Sequence, residues 1–157
     1  MSVSKQLLPS ILDRLLDDDP ESTREVSRVF HWREMRQSVR RDLENLLNAR
    51  ISWLVWPDWW SELDHSLLTY GLPDFSAMPL SSVDGRDELC RVIEETIRKF
   101  EPRFTDVAVS VISEEQPLDR ILRLRIHALL RADPEPEEVF FDSEVEPVCL
   151  GIRVRES

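Results

Sequence analysis

The chain has 157 residues, 41% apolar and 32% charged, which suits one soluble globular domain with its own core. Its 31 acids against 20 bases give a formal charge of −11, which excludes a general nucleic-acid binder because phosphate contacts need a positive surface. No apolar run approaches the roughly 20 residues of a membrane span, the N-terminus lacks the apolar core and cleavage site of a signal peptide, and Cys90 and Cys149 alone make neither a disulfide framework nor a cysteine metal cage, which fits a reducing cytosol.

In chain order, Leu7, Leu8, Ile11, Leu12, Leu15 and Leu16 recur at helical spacing. Ser10 is placed to cap this short helix, and Asp17-Asp18-Asp19-Pro20 ends it, since proline disfavours helix in the residue before it. Residues 1–30 therefore read as an amphipathic helix and a polar linker, packing either on their own domain or on a partner, and residues 31–157 as the folded domain. Trp32, Met35, Val39, Leu43, Leu46 and Leu47 form the apolar face of a second helix from about residue 32 to 48. Arg33, Arg36, Arg40 and Arg41 make a basic stripe on it, which is either a solvated face or a patch for an acidic partner.

Residues 51–83 are broken by Pro57, Gly71, Pro73 and Pro79. Trp53, Trp56, Trp59 and Trp60 crowd into this stretch, either to cover a flank of the core or to form an interface. A third helix carries Leu89, Val92, Ile93, Ile97 and Phe100 on one face, with an N-cap expected at Asp84 and a stop at Glu101-Pro102. The period then falls to two. Val107 to Val111, Leu122 to Ala128, a shorter run at Val139 to Phe141, and Val148 to Val154 read as strands with one buried face each. Helices first and strands after give an α+β fold, with the helices packed on a mainly antiparallel sheet of about four strands. Residues 133–157 hold eight acids and two bases. The acids around the last two strands either discourage unwanted edge pairing or select a basic partner.

No catalytic motif stands out. His31, His65 and His127 are far apart, without metal-ligand spacing. Three glycines in the whole chain cannot build a phosphate-cradling loop. A glycosidase needs only two carboxylates, and Glu101 at the joint of the third helix and first strand is the best single candidate. Its neighbour Arg103 tells against that, because a guanidinium favours the ionised carboxylate whereas a general acid must hold its proton.

Four segments together resemble one family. Pro9 to Leu15 leading into Asp17-Asp18-Asp19-Pro20, the helix from Ser38 to Arg50, the run Tyr70-Gly71-Leu72-Pro73-Asp74-Phe75, and Phe100-Glu101-Pro102-Arg103 are similar, in this order, to the TssE family of type VI secretion baseplate subunits. That family is related to the wedge proteins of contractile phage tails, long labelled lysozyme-like. Ala49, where the family usually has Thr, and the tryptophan-rich stretch depart from its pattern.

The resemblance implies a structural, non-enzymatic adaptor without a cofactor, cytoplasmic and part of a baseplate docked at the inner-membrane complex. It implies TssF, TssG and TssK of the wedge and TssB and TssC of the sheath as partners, with neither nucleic acid nor direct membrane insertion. Glu101, Pro102 and Arg103 are the implied wedge contact, although the Glu–Arg couple at a rigid proline could equally be an internal salt bridge. Tyr70, Gly71, Leu72, Pro73 and Asp74 are candidate interface residues. So are Leu150, Ile152 and Val154 of the last strand, whose backbone groups would meet a sheath strand. The alternatives are a peptidoglycan hydrolase and a generic cytoplasmic adaptor.

Overall fold

The computed structural model describes residues 9–15, 31–52, 55–57, 59–112, 121–132, 135–146 and 150–156. Helix α1 spans Ile11–Leu15, α2 Trp32–Asn48 and α3 Val83–Phe100, and strands β1 Phe104–Val111, β2 Leu122–Leu130, β3 Glu137–Glu146 and β4 Gly151–Glu156 follow. Two short 3-10 turns, Ser61–His65 and Leu67–Thr69, lie between α2 and α3.

Helix α1 is capped by Ser10. Its hydroxyl accepts from the Asp13 amide at 3.1 Å while the Asp13 carboxylate accepts from the Ser10 amide at 3.0 Å, the reciprocal arrangement of a capping box. The expected Leu7, Leu8, Leu16 and the Asp-Asp-Asp-Pro stop lie outside the described residues. Helix α2 has the expected bounds, and its face of Met35, Val39, Leu43, Leu46 and Leu47 is buried. Helix α3 starts earlier than expected. Its cap is Ser82, whose hydroxyl accepts from the Gly85 amide at 3.0 Å; Asp84 lies inside the first turn, where a carboxylate suits the positive end of the helix dipole. The far end stops at Glu101 as expected.

The four strands form an antiparallel meander in the order β1-β2-β3-β4, as the α+β reading requires. The described part of the last strand begins at Gly151. The third strand extends well beyond the apolar run at its centre. The inward positions Val107, Leu124, Ile126, Ala128, Val139, Phe141, Val145, Ile152 and Val154 meet the apolar faces of α2 and α3 in one core. The opposite sheet face is polar and cross-linked by charge. Arg125 grips Asp142 at 2.8 and 3.2 Å, and Glu144 lies between Arg155 at 3.4 Å and Arg123 at 3.7 Å. Two of the acids read as a selector for basic partners are thus paired within the sheet. His127 stacks on Phe140 on the same face, with centroids 4.6 Å apart.

The basic stripe of α2 is largely neutralised within the domain. Arg36 pairs with Glu156 at 2.7 Å, Arg40 with Glu44 at 3.1 Å, and Arg41 with Asp13 and Asp42 at 2.8 Å each. Trp59 and Trp60 are exposed, so their indoles do not cover the core.

Candidate functional site

The three residues after α3 make a tight joint. The Glu101 amide closes the helix on the Ile97 carbonyl, and the Phe104 amide, opening β1, returns to the Glu101 carbonyl. Pro102 sits at the exposed apex with its φ fixed by the ring. Within this turn Arg103 folds back on Glu101 as a two-point fork, Nε on Oε1 and Nη2 on Oε2, both at 2.6 Å. Both side chains are buried, 8% exposed for Glu101 and 11% for Arg103.

The pair continues into a chain of charges that joins three elements. Arg103 Nη2 also reaches Asp42 at 2.8 Å, and its Nη1 reaches the Ser38 hydroxyl at 3.3 Å. Asp42 accepts from Arg41 on its other oxygen, and Arg41 reaches Asp13 of α1 at 2.8 Å. Ser38 donates to Asp13. Cations and anions alternate along this path, so each buried charge meets its opposite and the cost of burial is offset.

Ionisation follows from these contacts. Burial pushes the Asp13 carboxyl up, but hydrogen bonds from Ser38, Ser10 and Arg41 outweigh it and hold the group below its ordinary value. Burial works against the Arg103 charge as well, and the bonds to Glu101 together with the nearby Asp42 override it and raise its pKa. The Tyr70 phenol is raised by burial and by the negative charges of Asp42 and Glu101.

Above this network lies an open groove of about 790 Å³, walled by Ile11, Leu12 and Leu15 of α1, Met35 and Leu46 of α2, and Leu67, Tyr70 and Phe100, with Glu101, Pro102 and Arg103 along it. Its rim is apolar and solvent-facing, since Ile11, Leu15 and Leu67 are each at least three-quarters exposed. Tyr70 meets Phe100 edge-on with centroids 5.4 Å apart.

The rest of the Tyr-Gly-Leu-Pro-Asp-Phe run ties the chain to the end of α2. Gly71 has φ +113°, and a Cβ there would lie 2.4 Å from the Ala49 carbonyl oxygen, so only glycine fits. The Leu72 amide donates to Ala49 and its carbonyl accepts from Ile51, both at 3.0 Å. Leu72 and Phe75 are buried, and Arg50 lies over the Phe75 ring at 5.0 Å. Pro73 is half-buried, while Asp74 is exposed and takes the Ser76 amide at 2.9 Å.

The last-strand residues stand apart from the groove. The side chains of Ile152 and Val154 are in the core. Leu150 precedes the strand at φ 54°, and its carbonyl accepts from Arg50. Sequence reasoning places Glu101, Pro102 and Arg103 at the site and misses Asp13, Ser38, Arg41 and Asp42. A signal for the last three exists: Ser38, Arg41 and Asp42 lie three and four apart on α2, on the side of Met35 and Leu46. Among the described residues no cluster of His, Cys, Asp and Glu could hold a metal ion, and no helix is long and apolar enough to cross a membrane.

Fold and site together define a small α+β domain with an apolar groove over a closed ion network. The family model of baseplate wedge protein gp25 matches residues 33–135, and the chain belongs to that family. A solved structure described as the baseplate complex from the type VI secretion system contains a chain 21% identical to this one, with a TM-score of 0.48 over 73% of this chain and 96% of that chain. No curated protein matches the sequence.

Proposed function

We propose that the chain is a non-enzymatic structural subunit of a type VI secretion baseplate, joining the wedge to the contractile sheath and helping sheath assembly begin. Membership of the wedge family supports the baseplate role, and the four ordered motifs that resemble TssE favour the secretion machine. The observation that carries the reading is the position of the Glu-Pro-Arg turn. Pro102 is exposed beside an open apolar groove, and Glu101 and Arg103 fix the shape of the turn from within.

In this reading the helical bundle of TssF and TssG lays apolar side chains into the groove between Leu67 and α1. TssK joins through that same wedge, and TssB and TssC join through an edge of the sheet. The subunit works on the cytoplasmic side, in a baseplate docked at the inner-membrane complex.

The rim gives a clean test because Ile11 and Leu67 are 77% and 88% exposed, so charges there leave the fold alone. Leu67→Glu and Ile11→Glu are expected to keep the melting temperature. Each should lower co-purification with TssF–TssG by about tenfold or more, because an unpaired carboxylate would have to be buried in an apolar contact. Undiminished co-purification of both folded variants would remove the groove from the wedge contact.

A further inference from the structure

Two indoles belong to neither the core nor the groove. Trp59 is 80% exposed and Trp60 54%, and Val55 shortly before them is 97% exposed. From this stretch of chain the groove takes Leu67 and Tyr70 as its walls, so Trp59 and Trp60 lie outside it. An indole carries a large apolar area, and adjacent exposed indoles mark a surface built to be covered.

The backbone that carries them is held by a run of closed turns. The Trp60 amide donates to the Pro57 carbonyl, the Leu63 amide to Trp60 and the Ser66 amide to Leu63, each at 3.0 Å. The Ser66 hydroxyl donates to the Leu63 carbonyl at 2.7 Å. The buried Thr69 hydroxyl gathers the run from within, 2.8 Å from the Asp64 carbonyl, 3.1 Å from that of Ser66 and 3.2 Å from that of Leu63. A surface ordered in advance loses little entropy when a partner binds.

The charge around the indoles has one sign. Residues 51–85 hold five acids and no Lys or Arg. Glu62 and Asp64, both exposed, stand on the Ser61–His65 turn that directly follows Trp60. Elsewhere acids meet internal cations, as Asp142 meets Arg125 and Glu156 meets Arg36; among the described residues no such ion pair involves Glu62 or Asp64. The face of an indole attracts a cation through its quadrupole, and neighbouring carboxylates add to that pull. The same acids repel an anionic lipid surface. A second copy of the chain fits poorly, because each copy carries −11 and Arg36, Arg40 and Arg41 are engaged by its own acids.

We propose that Trp59 and Trp60, with Glu62 and Asp64, form a second docking surface, which takes a protein segment carrying Arg or Lys among apolar side chains. The cation lies over an indole and within reach of a carboxylate, and the apolar neighbours cover Val55 and the ring edges. Arg suits the role better than Lys, because its planar, weakly hydrated guanidinium stacks on aromatic faces. This surface does not depend on the groove contact proposed above.

The test titrates the full chain with a short synthetic peptide alternating Arg and Leu, with its Gln-for-Arg counterpart, and with phosphatidylcholine vesicles with and without phosphatidylserine. The Arg peptide should shift the indole N–H resonances of Trp59 and Trp60. Trp59→Ala/Trp60→Ala should keep the melting temperature and weaken binding about fivefold or more. Glu62→Gln/Asp64→Asn should weaken it about two- to fivefold at low salt, the difference fading as salt rises. Ile11→Glu, on the groove rim, should leave it unchanged, so failure of this surface and failure of the groove contact are read separately. Equal binding of the Gln peptide, or Arg-peptide binding that survives the tryptophan variant intact, overturns recognition of a cation by the indoles. Indole shifts with vesicles and not with the Arg peptide make the patch a lipid contact and overturn the protein partner. No shift with any of them overturns the docking surface.

Discussion

Arg41 of the second helix holds Asp13 of the first at 2.8 Å, and Ser38 of the second helix donates to the same carboxylate. No residue of α1 is buried; Asp13 alone reaches inward, to Arg41 and Ser38. Among the described residues a carboxylate thus ties the N-terminal wall of the groove to the second helix.

The consequence is a pH-dependent wall. Asp13 has a folded pKa below its unfolded one, so it stabilises the docked helix fully above the unfolded value, about 3.9. That stabilisation fades as the pH falls through the folded value. Exchange of the amides of residues 12–15 should rise relative to the core below about pH 4. Asp13→Ala should show the faster exchange already at pH 7, and an unchanged pattern in Asp13→Ala would mean that packing holds α1.

The fork between Arg103 and Glu101 gives a second expectation. Removing one member of a buried pair leaves the other charge stranded, which costs about 3–5 kcal/mol. For a chain of this length Arg103→Ala should lower the melting temperature by on the order of 10 °C. Glu101→Gln combined with Arg103→Met leaves no stranded charge at the turn and should recover a large part of that loss. A double variant as unstable as the single one would show that the pair is not the source of the stability.

Gly71 is a third, independent test. Its φ is positive, and an added Cβ would come within 2.4 Å of the Ala49 carbonyl oxygen. Gly71→Ala must therefore shift the backbone that ties Leu72 to the end of α2. A loss of about 2 kcal/mol or more is expected from such strain, measured by urea unfolding. Asp74→Ala, which removes only an exposed turn bond, should cost far less.

The legible parts of this molecule are those written in local periodicity. The apolar spacing from Trp32 to Leu47 sets the bounds of the second helix, and the two-residue alternation from Val107 onward sets the sheet and its buried face. The cap at Ser82 is harder to read, because Asp84 followed by Asp87 imitates a capping pattern and only geometry shows which oxygen reaches an amide. The ion network is out of reach because its members come from distant segments: Asp13 and Arg41 are 28 positions apart, and Arg103 and Asp42 are 61. The groups that meet the outer edge of the last strand are equally remote: Asn48 donates to the Ile152 carbonyl 104 positions later. No rule of local spacing encodes such a partner.

The same geometry bears on whether the protein cuts peptidoglycan. A glycosidase needs one carboxyl able to hand a proton to the leaving oxygen and a second, about 5–9.5 Å away, facing the sugar. Here both oxygens of Glu101 are engaged by Arg103 at 2.6 Å. The nearest second carboxylate in the network, Asp42, is held by that same guanidinium and by Arg41. Freeing Glu101 for acid catalysis would mean opening a buried ion pair, with the cost that the Arg103→Ala variant should reveal. Purified protein incubated with isolated sacculi is therefore expected to release no soluble muropeptides at any pH at which it stays folded. Release that is absent in Glu101→Gln, with that variant shown to be folded, would make the turn a catalytic site and overturn the adaptor reading.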